Sequence, residues 1–101
     1  MGFFSFNSEF EIEVNRSKRV AFDKFVSYIK KKSGFQLTST QDGESLTFTK
    51  GITLLSWPIN FEVVFKEVDK ENTMLCVRSE SGNIDLGRSK GIINDIVEEI
   101  Y

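Results

Sequence analysis

Between Ile59 and Lys66 the chain alternates: Ile59, Phe61, Val63 and Phe65 share one parity, and Asn60, Glu62, Val64 and Lys66 share the other. A period of two residues belongs to a strand with one face in a core and the other in water. Such a strand needs neighbours in a sheet and a layer packed over its apolar side. This segment therefore constrains the fold most: a sheet wet on one face and covered on the other.

The same period appears near the start, where Phe4, Phe6, Phe10, Ile12 and Val14 take even positions and Asn7, Glu9, Glu11 and Glu13 lie between them. The period then changes. Phe22, Phe25, Val26 and Ile29, flanked by Ala21 and Tyr28, follow the i, i+3, i+4, i+7 spacing of an amphipathic helix. Ser17 is its expected N-cap and Ser33-Gly34 its expected end, with Gly34 left-handed and Lys30, Lys31 and Lys32 in the last turn. Phe35 and Leu37 open a second strand, Asp42-Gly43 marks a hairpin turn, and Leu46 and Phe48 return on a third. Asp69 to Asn72 turns the fourth strand into a fifth carrying Leu75 and Val77. Ile92, Ile93, Ile96, Val97 and Ile100 form the stripe of a closing helix.

The order β-α-β-β-β-β-α predicts an α+β fold in one domain spanning 1–101. Its five-stranded, mainly antiparallel sheet carries both helices on one face. The other face is expected to present Glu9, Glu11, Glu13, Thr38, Thr40, Thr47, Thr49, Asn60, Glu62 and Lys66 to water. With 101 residues and ten phenylalanines, the core is expected to be aromatic-heavy.

Chemistry is sparse. The chain has no histidine, which removes the commonest general base and the commonest transition-metal ligand. Its single cysteine, Cys76, can form no intrachain disulfide, and between Leu75 and Val77 it is expected to be an inert thiol. Glu9, Glu11, Glu13, Glu98 and Glu99 read as solvated carboxylates. These features predict a non-enzymatic protein with no cofactor and no metal. A net charge of −2 and an acidic sheet face argue against nucleic acid. No apolar run is long enough to span a membrane, and a cytoplasmic location is the expectation.

The one stretch near a chemical motif is Gly82–Gly91, "GNIDLGRSKG". It lacks the Gly-Lys-Ser step of a P-loop and the Rossmann glycine spacing. Its simplest reading is a helix start capped by Asp85, with Leu86 and Ile93 on the buried stripe. Yet Arg88 and Lys90, like Lys18 and Arg19 at the start of the first helix, carry the wrong sign for a helix N-terminus. The predicted topology places Arg88 and Lys90 at the same end as Lys30–Lys32 and the connection 51–57. That connection carries Ile52, Leu54, Leu55 and Trp57. These four with Arg88 and Lys90 are the candidate binding residues. The plainer alternatives are lysines that complement a helix dipole and a connection that plugs the core.

The element order resembles the TATA-box-binding-protein-like, or helix-grip, topology shared with Bet v 1-like lipid and steroid carriers. The tail, "VRSESGNIDLGRSKGIINDI", is similar to that of a bacterial family of unknown function, which carries no activity across. The resemblance implies either DNA binding on the open sheet face, which the glutamates oppose, or an apolar ligand between sheet and helix. Two readings of function follow. The first is a protein-interaction or self-association module using the apolar connection, with a homo-oligomer or protein partner. The second is a small carrier of an amphiphilic, lipid-like anionic ligand.

Overall fold

The computed structural model describes residues 8–51, 59–81 and 88–100. Its elements are β1 (Ser8–Val14), α1 (Lys18–Lys31), β2 (Phe35–Gln41), β3 (Ser45–Lys50), β4 (Ile59–Asp69), β5 (Asn72–Ser81) and α2 (Arg88–Ile100). The strands form one sheet in the order β1-β5-β4-β3-β2, antiparallel at every pairing. The α+β class and the β-α-β-β-β-β-α order are therefore those of the sequence reading.

Helix α1 starts where Ser17 accepts a hydrogen bond from the Val20 N–H at 3.3 Å. It ends at Lys32, whose N–H donates to the Tyr28 carbonyl, and the chain leaves through Gly34 at φ +88°. Gly34 then meets the end of β3, because the Gly51 N–H donates to its carbonyl. A Cβ on Gly51 would come within 3.1 Å of that carbonyl oxygen, so the approach favours glycine. Helix α2 ends with two glutamates and no cation in its last turn. Arg16 supplies the missing donor from outside the helix, its Nε bonding the Ile100 carbonyl at 3.2 Å.

Both helices cover the same face of the sheet. The core holds Phe22, Phe25 and Ile29 from α1, Ile93, Ile96 and Ile100 from α2, and Val14, Leu46, Phe48, Ile59, Phe61, Val63, Phe65, Leu75 and Val77 from the sheet. Aromatic rings run through it. Phe48 stacks on Phe61 with centroids 4.6 Å apart, and Phe25 sits 5.7 Å from Phe48 and 5.8 Å from Phe65. Edge and offset contacts of this kind add about 0.5–1.5 kcal/mol each beyond their area.

The opposite face is the polar one, with one correction. A β-bulge between Leu37 and Ser39 sets Thr38 and Ser39 on the same side, where both hydroxyls bond Thr47 at 2.6 and 2.7 Å. Thr40 then pairs with buried Leu46 and lies on the helix side of the sheet edge, not on the solvated face expected of it. The extra residue flips the parity.

Candidate functional site

The antiparallel order gives the sheet two chemically unlike ends. One gathers the start of α1, the β2–β3 turn and the β4–β5 turn. There the cations Lys18 and Arg19 meet acids: Lys18 bonds Glu44 at 2.9 Å, and Arg19 bonds Asp42 and Asp23 at 3.0 Å each. Their sign, unfavourable for a helix start, is answered across the hairpin. No anion site is needed to account for them.

The other end gathers the end of α1, the start of β2, the end of β3, the start of β4, the end of β5 and the start of α2. It carries Lys30, Lys31, Lys32, Lys50, Arg88 and Lys90. Three of these lysines lie over aromatic rings: Lys32 over Tyr28 at 5.5 Å, Lys50 over Phe35 at 5.1 Å and Lys90 over Phe10 at 5.9 Å. In each pair the ammonium nitrogen itself lies over the ring. The acids near this end, Glu9 and Glu80, sit on the outer face, and Glu9 lies 3.5 Å from Arg78.

Beneath this basic end the interior is largely apolar, with two buried hydroxyl residues, Ser79 on β5 and Ser89 in the first turn of α2. The Ser79 hydroxyl is wholly buried and makes no hydrogen bond among the described residues. Ser79 follows Leu75 and Val77 on the inward parity of β5 and pairs with Phe61, whose ring stacks on Phe48. The other buried hydroxyl on this strand's inner face, Thr73, bonds the Arg16 carbonyl at 2.8 Å. A buried polar atom without a partner costs about 1–3 kcal/mol and calls for an explanation.

Of the residues singled out from sequence, Arg88 opens α2 and Lys90 lies exposed in its first turn over Phe10. Ile52, Leu54, Leu55 and Trp57 lie outside the described residues, as do Asp85 and Leu86. Sequence reasoning missed Ser79. Its only signal was a polar residue on the inward parity of a strand. Cys76 lies half-buried on the outer face, 3.6 Å from a Glu11 carboxylate oxygen. Burial first, then the Glu11 contact, push its thiol above the ordinary cysteine value against the opposing charge of Lys66. That environment suppresses the thiolate and suits an inert side chain.

Open hollows also occur elsewhere. One of about 410 Å³ is lined by Arg16, Ser17, Val20, Lys24, Lys70 and Glu71, and one of about 280 Å³ lies on the outer face over Thr38, Thr47, Thr49, Asn60 and Glu62. In the second, the hydroxyls are engaged with one another or, for Thr49, with Asn60 at 2.9 Å.

The sequence matches no protein-family profile and no curated protein sequence. Solved structures do share the fold. The di-domain ARO/CYC protein BexL from the BE-7585A biosynthetic pathway superposes on 92% of this chain with a TM-score of 0.64 at 7% identity. CalC from Micromonospora echinospora, described as a self-sacrificing resistance protein, covers 92% with a TM-score of 0.56 at 10% identity. The Zhui aromatase/cyclase from a Streptomyces strain gives a TM-score of 0.55 at 7% identity. The chain spans 44% of BexL but 90% of CalC and 92% of Zhui.

These likenesses define a helix-grip-like fold. They also correct the sequence reading on catalysis. That reading took the missing histidine as grounds for a non-enzyme, yet BexL and Zhui are named as ARO/CYC or aromatase/cyclase proteins on this scaffold. A scaffold that hosts such proteins leaves the lack of one residue type without force as an exclusion.

Proposed function

We propose that this chain binds a small amphiphilic compound with an anionic group. Its apolar part lodges between α2 and the sheet, within the single domain of residues 1–101. The observation that carries this reading is Ser79, a buried hydroxyl with no hydrogen-bond partner among the described residues, beside the stacked Phe48–Phe61 pair. A ligand oxygen bonded to Ser79 would remove its desolvation cost. At the same end of the sheet, Lys32, Lys50 and Lys90 favour a negative group. The N–H groups that open α2 do the same. The connection bearing Ile52, Leu54, Leu55 and Trp57 leaves β3 and enters β4 at this end, and supplies apolar residues in sequence. The shared fold with BexL, CalC and Zhui supports a small-molecule role.

Calorimetric titration tests the proposal with two pairs of matched probes: decanoate against decyltrimethylammonium, and 2-naphthoate against 2-naphthylmethylammonium. Saturable one-to-one binding of at least one anion, and none of its cation, is the expected result. Lys90→Glu should weaken the anion several-fold, in keeping with about 1 kcal/mol for a rim charge. No saturable binding of either anion, or equal binding of anion and cation, would overturn it.

A further inference from the structure

We infer that strand β2 is a self-association edge, on which a second copy of this chain adds antiparallel to form a continuous sheet through both subunits. The sheet has two edge strands, and their chemistry differs. β1 carries Glu9, Glu11 and Glu13, a row of like charges that repels an incoming strand. β2, of sequence FQLTSTQ, has no charge and no proline, and among the described residues nothing pairs with its outer side. An uncharged edge is a template for another strand.

The order of faces along β2 selects the partner. Gln36 and Gln41 pair with Thr49 and Ser45 on the solvated face, and Leu37 and Thr40 pair with buried Phe48 and Leu46. Thr38 and Ser39 both bond Thr47 on the solvated face because of the bulge. From Gln36 to Gln41 the faces therefore read outer, inner, outer, outer, inner, outer. The order is the same in both directions. Directly opposed residues of an antiparallel pair point to the same face, so a two-fold axis between Thr38 and Ser39 matches every position. In that register Gln36 faces the partner's Gln41, Leu37 faces the partner's Thr40, and the two bulges oppose each other. A foreign strand without a bulge would mismatch half of them.

Charge follows the same symmetry. Lys30, Lys31 and Lys32 precede β2, and Asp42 and Glu44 follow it. Antiparallel addition sets the lysines of each copy beside the acidic turn of the other. A ladder of six residues buries less than a standard interface, so the dimer is weak and depends on concentration.

Light scattering over a dilution series tests this, with circular dichroism to confirm folding. The wild-type mass should rise from 11.6 kDa towards twice that value as concentration increases. Gln36→Lys with Gln41→Lys places like charges opposite each other and should hold the protein monomeric. Gln36→Lys with Gln41→Glu places opposite charges there and should restore association. A wild type that stays monomeric at all concentrations, a double-lysine variant that associates normally, or a Lys/Glu variant that fails to associate while folded would each overturn it. None of these outcomes depends on ligand binding.

Discussion

The Arg19 guanidinium bridges Asp42 in the β2–β3 turn and Asp23 one turn along its own helix, at 3.0 Å to each. This joins two elements distant in sequence at the acidic end and gives the basic start of α1 its reason. Arg19 lowers the proton affinity of Asp42 below the ordinary carboxylate value, first by hydrogen bonding and then by charge. The Glu71 N–H, followed by the Asn72 side chain, does the same for Asp69 in the neighbouring turn.

Those two carboxyls tie stability to acid. Each binds a proton less readily folded than unfolded, so its contribution is fully present above the unfolded value of 3.8 and is lost as pH falls through the folded value. The thermal midpoint should therefore drop below about pH 4. Asp42→Asn should make that drop shallower. An identical acid profile in the variant would show that the Arg19 pairing does not persist in solution.

Gly43 holds φ +75° in the same turn, and a Cβ there would lie 2.8 Å from an Arg19 terminal nitrogen. Gly43→Ala should lose about 1–2 kcal/mol from the left-handed backbone alone. The Arg19 end can swing aside, so its displacement adds little. Denaturant unfolding reads the loss. An unchanged midpoint would mean that the turn adopts another conformation.

Phe25 is fully buried and contacts both Phe48 and Phe65. Phe25→Ala should cost about 3–5 kcal/mol. Set against a total near 5–15 kcal/mol for a small domain, that loss puts the variant close to unfolding. Far-ultraviolet circular dichroism during urea titration measures it. A loss under about 1 kcal/mol would show a core that collapses around the gap.

Ser79→Ala separates stability from binding. Removing an unpartnered buried hydroxyl should raise stability by about 1 kcal/mol, read as a higher unfolding midpoint. The same change should weaken decanoate or naphthoate severalfold. Tighter folding with unaltered affinity would leave Ser79 an ordinary core residue.

The elements were legible because two periods alternate cleanly along the chain. Ile59–Phe65 and Phe22–Ile29 each declare one buried face, and Ser17, Gly34 and Asp42-Gly43 punctuate them. Parity failed at Thr38-Ser39-Thr40, where a run of hydroxyl residues offers no apolar contrast to mark a bulge. The misplaced cations Lys18 and Arg19 could not be explained locally, because Asp42 and Glu44 arrive only through the hairpin. That the end of α1 and the start of α2 lie at one end of the sheet followed from strand directions alone. Ser79 did not, since a serine on an inward parity looks the same whether or not its hydroxyl finds a partner. Whether the scaffold excludes catalysis was also beyond reach, because residue types do not reveal what a fold hosts.

Methyl-labelled isoleucine spectra recorded during titration with decanoate and 2-naphthoate address the binding proposal most directly. At least one anion should shift Ile29, Ile59 and Ile93, which lie towards the basic end, while Ile100 at the far end of α2 stays in place. Shifts centred on Ile100, or none at any isoleucine while either anion binds, would contradict it.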